Sequence, residues 1–228
     1  MKNLRENLDN VSARLRRACK AAGRSPAEVR ILAVSKRHPA ASIRALHALG
    51  QVAFGESLLQ EAIAKQSELQ DLQLEWHFIG TIQSNKTREI ASHFDWAQSV
   101  DREKLLRRLS EQRPAGRPPL NICLQVNIDR EQQKSGAAPE EMPELAQLAA
   151  TLPGIRLRGL MAIPRVDSPS RGAARESFER MKALFDDCRA QGHEFDTLSM
   201  GMSADLEPAI LAGSTMVRIG TDLFGKRT

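Results

Sequence analysis

The stretch VRILAVSKRHPA, residues 29–40, decides how the chain is read. Four apolar residues, Ile31, Leu32, Ala33 and Val34, make a short buried strand, yet it runs into Ser35 and Lys36 before Pro39 turns the chain. Period-two alternation sets Leu32, Val34 and Lys36 on one side and Ile31, Ala33 and Ser35 on the other. A lysine therefore stands at the carboxyl end of an apolar row.

Working outward, seven more runs of this kind follow. Strands are expected near 30–36, 51–55, 74–80, 95–100, 120–128, 156–163, 197–202 and 215–220, with amphipathic stretches between them. One such stretch, PAASIRALHALG, opens on Pro39 and closes on Gly50, the usual asymmetry of a helix. Strict alternation of strand and helix implies a parallel sheet with right-handed crossovers. Eight units in 228 residues predict one α/β domain over 1–228, a compact (β/α)8 TIM-like barrel, somewhat below the usual size of about 250 residues. The alternative is an open doubly wound sheet, but no GxGxxG or GxxxxGK[ST] turn follows any strand. The Pro-rich RPAGRPP (113–119) reads as a loop, not an interdomain linker. Ahead of the barrel, Leu4, Leu8, Val11, Leu15 and Ala18 recur at three- and four-residue steps and predict an extra N-terminal amphipathic helix.

The formal charge of +5 and pI near 9.4 would suit an anionic partner, but basic residues are interleaved with acidic ones, as in REKLLRRLSEQR (102–113). A solvated mixed-charge surface is expected, with no nucleic-acid partner. The three cysteines, Cys19, Cys123 and Cys188, are far apart and form no CxxC pair, which fits reduced thiols and no metal site. The N-terminal stretch lacks the apolar core of a signal peptide, and Glu6 and Asp9 argue against a transit peptide. No apolar run approaches the about 18 residues of a membrane span. The expected compartment is the cytoplasm.

In a parallel barrel the functional face is formed by the carboxyl ends of the strands. Lys36 stands at such an end, where partial burial favours the neutral amine that attacks a carbonyl; the plainer reading is a lysine reaching solvent in a βα loop. Arg37 and His38 beside it would depress its pKa further if they point toward it. Near the other end of the chain, SMGMS (199–203) and RIGT (218–221) close strands 7 and 8. They place Ser199, Gly201, Ser203, Gly220 and Thr221 where barrels commonly bind phosphate; equally, small residues make tight turns. Arg218 interrupts an apolar strand, so it either enters the barrel and needs an acceptor or points out to a helix carboxylate. His77 reads first as a hydrogen-bonded core residue, Asn85 as a helix cap, Met161 as core filler and Asn127 as the close of a strand.

An amine on strand 1 and an anion cradle after strands 7 and 8 suit pyridoxal 5'-phosphate (PLP). Over essentially its full length the chain resembles the pyridoxal phosphate homeostasis protein family, small relatives of the barrel domain of alanine racemase. The matching segments are LAVSK, FGES, WHFIGTIQSNK, QSVDR, QVNIDREQQKSG, RGLMAIP, LSMGMSADLEPAI and STMVRIGTDLFG. The resemblance implies that Lys36 carries the cofactor as an internal aldimine, that Ser199, Ser203, Gly220 and Thr221 surround the phosphate, and that Arg218 approaches the pyridine nitrogen. It places His77, Asn85 and Met161 in the pocket wall. One departure matters: the family usually continues FGEN with an aromatic residue, and here Ser57 and Leu58 stand instead.

The racemase relatives move protons with a lysine and a tyrosine on opposite cofactor faces, and this sequence contains no tyrosine. The sequence reaches Thr228 without the second β domain that completes those active sites, and an arginine at the pyridine nitrogen weakens the ring as an electron sink. The expected function is therefore reversible holding of PLP in cofactor homeostasis and amino-acid balance, without efficient catalysis. Expected partners are PLP, apo PLP-dependent enzymes and amino acids, with the protein a monomer. The alternatives are a slow PLP-dependent amino-acid racemase and a class I Schiff-base aldolase.

Overall fold

The computed structural model describes residues 4–164 and 171–225. Its strands are β1 (Arg30–Val34), β2 (Ala53–Glu56), β3 (Glu75–Phe78), β4 (Trp96–Val100), β5 (Leu120–Gln125), β6 (Ile155–Met161), β7 (Thr197–Met202) and β8 (Met216–Ile219). They pair in chain order, all parallel, and β8 returns to β1, so the sheet closes into a barrel. The helices are α1 (Leu4–Ala21), α2 (Ala40–His47), α3 (Leu59–Glu68), α4 (Thr87–His93), α5 (Glu103–Glu111), α6 (Met142–Ala150), α7 (Arg171–Ala190), α8 (Leu206–Leu211) and α9 (Thr221–Phe224). The eight-stranded (β/α)8 barrel and the extra helix in front of it are as the alternation of the sequence predicts.

Alternation along each strand separates two cores. The larger lies between the barrel wall and the helices: Ala33, Phe54, Phe78, Ala97, Ile122 and Leu124 point outward into it. α1 joins that core through Val11, Leu15, Ala18 and Cys19, the residues its three- and four-residue spacing puts on one face. Inside the barrel sit two small apolar groups, Leu32 with Ala53 and Met216, and Trp96 with Cys123 and Met161. The rest of the interior is polar, and that is where the chemistry gathers.

Several strands are shorter than their apolar runs suggest. β1 stops at Val34, not Lys36, because the chain turns at Arg37, whose φ is +62°. β5 stops at Gln125, after which Val126 makes only an isolated bridge to Ala137. Asn127 does close that strand end: its side chain exchanges hydrogen bonds with the carbonyl and amide of Glu131 at 2.8 and 3.1 Å. Gly80 is required by close approach, since a side-chain carbon there would lie 2.3 Å from the Ser57 carbonyl oxygen.

Candidate functional site

Lys36 reaches the mouth of the barrel at the first turn of the β1–α2 loop. Ser35 still donates its amide to the Gly55 carbonyl at 3.0 Å, and His38 then closes a turn on the Ser35 carbonyl at 3.0 Å. Lys36 is half-buried while Arg37 is exposed. The His38 ring stacks on Phe224 of α9 at 4.7 Å, tying this loop to the segment after β8. β1 and β8 are neighbours, and a side-chain carbon on Gly220 would stand 3.4 Å from the Val34 carbonyl oxygen. The folded chain thus brings Lys36 and the Gly220 turn together from 184 residues apart.

Behind this turn lies a buried charge cluster. Lys65 on α3 donates to the Ser35 carbonyl at 2.8 Å, to Glu56 Oε1 at 2.7 Å and to Glu61 Oε1 at 2.5 Å. Ser35 Oγ donates to the same Glu56 oxygen at 2.7 Å, and the Arg37 amide donates to Glu61 at 2.5 Å. Both neighbours of Lys36 are therefore pinned to one ammonium and its two carboxylates. Glu56 is fully buried, and its Oε2 has no hydrogen-bond partner. Burial pushes its carboxyl up, against the opposing pull of Lys65 and Ser35.

Arg218 points into the barrel and is almost completely buried, which resolves the choice left open by its sequence position. It donates to the Ser199 carbonyl and hydroxyl at 2.8 Å each and to the Ala162 carbonyl at 2.7 Å. Burial lowers its pKa to about 10, so it stays charged at neutral pH. The Ser199 hydroxyl in turn donates to Gln98 Oε1 at 2.7 Å, and Gln98 Nε2 meets His77 Nδ1 at 2.8 Å. His77 is fully buried, stacked on Trp96, with Nε2 2.6 Å from Glu75 Oε1. A row of polar side chains thus crosses the interior from Arg218 to Glu75.

At the mouth, the turns after β7 and β8 face each other. Gly201 has φ +94°, and a side-chain carbon there would sit 2.5 Å from the Ala209 Cβ, so glycine is required. The Asp222 amide reaches the Ser203 hydroxyl at 3.4 Å, linking the turn after β7 to α9. Ser203 is half-buried and Thr221 exposed; in α9 the Leu223 and Phe224 amides turn back onto the Gly220 carbonyl and the Asp222 amide goes to Ser203, so the first amide of α9, at Thr221, is the one with no acceptor within its own helix. Such amides and hydroxyls make a cradle for an anion.

The structure gathers Lys36, Ser203, Gly220 and Thr221 at one opening, with Arg218 below them. Ser199 belongs to the Arg218 layer: its hydroxyl is engaged inside the barrel. His77 is the hydrogen-bonded core residue that its lone position on a strand suggests. Met161 is fully buried beside Trp96 and Cys123, paired across the sheet with Ser199. Asn85 lies exposed on the 3-10 turn Ser84–Lys86 and caps nothing; the Thr87 hydroxyl bonds the Ser84 carbonyl there instead. Sequence reasoning missed Glu75, Gln98 and Lys65. Gln98 could have been found as a lone polar residue on the inward side of DWAQSV; Lys65 read as an ordinary helix-surface charge.

Among the described residues no cluster of ligand-type side chains could hold a metal ion, and no helix is long and apolar enough to cross a membrane. The family model of the alanine racemase N-terminal domain matches residues 7–228. The chain is 58% identical to the pyridoxal phosphate homeostasis protein of Pseudomonas aeruginosa, covering 100% of this chain and 97% of that one. PipY of Synechococcus elongatus, solved with PLP bound, is 37% identical and superposes with a TM-score of 0.78 over 93% of this chain and 100% of its own. An alanine racemase of Clostridium difficile shares the barrel, at 17% identity and a TM-score of 0.79 over 99% of this chain and 57% of its own. Fold and full-length identity agree: the chain belongs to the pyridoxal phosphate homeostasis protein family, within the family of alanine racemase N-terminal domains.

Proposed function

We propose that this protein binds pyridoxal phosphate reversibly through Lys36 and serves cofactor homeostasis, without efficient catalysis. The observation that carries the reading is the convergence of a half-buried strand-end lysine, an anion cradle at the adjoining turns and a buried guanidinium beneath them. The donor set fits the cofactor. An amine answers an aldehyde, main-chain amides and the Ser203 and Thr221 hydroxyls answer a phosphate, and a guanidinium, which can only donate, answers a ring nitrogen that keeps its lone pair. The family's PLP-bound member supports the same cofactor for this chain.

When bound, the cofactor supplies an electrophilic carbon and an electron-withdrawing ring. The chain's own residues favour holding over turnover. Lys36 would supply one amine to the aldehyde, and its neighbours Ser35 and Arg37 are hydrogen-bonded to the Lys65 cluster. Arg218, held by Ser199 and the Ala162 carbonyl, would set a positive charge against the ring nitrogen and so disfavour its protonation. The sequence contains no tyrosine to act as the acid on the second face.

Borohydride reduction of PLP-loaded protein followed by peptide mapping is expected to place the pyridoxyl group on Lys36, with a visible absorbance band before reduction. A label confined to Lys86 or Lys134, or to Lys226, which lies outside the described residues, would overturn the assignment. Absence of the band with retention of a phosphorylated carbonyl compound on Lys36 would favour the aldolase reading.

A further inference from the structure

The cradle stands beside three carboxylates, Asp205, Glu207 and Asp222, which is an odd surrounding for a phosphate site. At partly buried positions like charges repel strongly, because little water screens them. Asp205 is turned onto the turn itself: its Oδ1 accepts the Met202 amide at 2.5 Å, and burial pushes its carboxyl up. Glu207 and Asp222 have another partner. Arg14, on the helix that precedes the barrel, forks both oxygens of Glu207 from Nε and Nη2 at 2.7 and 2.8 Å and donates from Nη1 to Asp222 Oδ2. Its Nη2 also donates to the Ser203 carbonyl at 2.9 Å. One guanidinium therefore holds the turn after β7, the start of α8 and α9. Asn7 on the same helix reinforces the clamp by donating to the Leu223 carbonyl at 2.7 Å, and the Asp222 amide joins α9 to the Ser203 hydroxyl.

We propose that Arg14 is a positioning residue for the cofactor's phosphate. It neutralises Glu207 and Asp222, which would otherwise repel the dianion, and it fixes the Ser203 turn against α9. The inference rests on the reading that PLP phosphate sits between these turns. α1 is not one of the barrel's eight helices, so on this view the added helix sets how firmly the phosphate is retained. The Glu207 carboxyl is held below the usual carboxylate range chiefly by the Arg14 hydrogen bond, consistent with a charge that stays paired at neutral pH.

The test compares affinities for PLP and for pyridoxal, which lacks the phosphate, in the full chain. In Arg14→Ala the preference for PLP over pyridoxal should fall about ten-fold, the scale of an uncompensated like charge near a partly buried anion. Adding Asp222→Asn should restore about a third of that preference or more, because it removes one of the uncompensated charges. Arg14→Lys, which keeps charge but not the fork, should fall between wild type and Arg14→Ala. Equal weakening of both ligands, or an unchanged preference, would overturn the proposal. If Arg14→Ala does not fold, Asp222→Asn alone on the intact chain should raise the preference for PLP, and a fall would refute the charge argument. Wild type that shows no preference for PLP over pyridoxal would reject the phosphate site itself, and wild type without label on Lys36 would reject the functional reading; neither resembles the outcomes for Arg14.

Discussion

Glu75 and His77 stand two residues apart on β3 and so share a face of the strand. Burial pushes the His77 ring down, against the pull of Glu75, so it stays neutral. Gln98 donating to Nδ1 leaves the ring proton on Nε2, where it bonds Glu75. Arg30 contacts the same carboxylate at 2.6 Å. Burial alone would raise the Glu75 carboxyl, but His77 and Arg30 outweigh it and hold it at about 2. A depressed acid contributes stability that is present above its unfolded pKa, about 4.3, and is lost as the pH falls toward 2. Glu75→Gln should therefore cost on the order of 2 kcal/mol at pH 7 and flatten the loss of stability between pH about 4.5 and 2. Urea midpoints at pH 7 and pH 3 measure it; a variant as acid-sensitive as the parent would assign the acid limb to another group.

At the scale of elements, the β1–α2 loop and α3 are joined through a salt bridge with almost no solvent. Lys65 is 5% exposed and Glu56 is fully buried. Desolvation offsets much of the attraction in such a pair, so its net contribution to stability is small, but removing one partner strands the other. Lys65→Met should destabilise the fold by about 3 to 5 kcal/mol, and the double change Lys65→Met, Glu56→Gln by clearly less. Chemical denaturation of the wild type, both single variants and the double variant decides this; a double variant that loses the sum of the two single losses would mean that the pair is not coupled. The departure at Ser57 and Leu58 lies outside the bonds of this cluster. Leu58 caps α3 without a side-chain bond and is 46% exposed, whereas the ties to Ser35 and Arg37 come from Glu56, Glu61 and Lys65.

For the whole molecule the decisive contrast is between exchange and turnover. If Lys36 holds the cofactor and no acid serves the second face, a free amine can displace the lysine, but a substrate carbon has no second proton partner. PLP-loaded protein is then expected to restore the activity of an apo PLP-dependent enzyme, while L- or D-alanine shows little α-deuterium incorporation. Incorporation at about 1 per second or faster would reject the carrier reading in favour of the racemase alternative. A loaded protein that gives up no cofactor to the apo-enzyme would make it a store and not a donor.

The sequence by itself determined the barrel. Eight apolar runs at short spacing can bury two faces only by pairing in parallel under helices, and the N-terminal helix carries its buried residues at fixed helical spacing. It also marked Lys36, Ser203, Gly220 and Thr221, because strand ends followed by small residues are local features visible without contacts. Only the tertiary structure decided which side chains meet. Arg218 is equally apolar-flanked whether it faces in or out; closure of β8 onto β1 opposite Leu32 puts it inside, where Ser199 and the Ala162 carbonyl satisfy it. Ser199 reads like Ser203 in the sequence SMGMS, yet its hydroxyl lies among interior groups from β4 and β8. Arg14 and Lys65 are the extreme cases. Their partners Glu207 and Asp222, Ser35 and Glu56 come from other elements, and no periodicity within a helix encodes a contact that forms only when the barrel closes.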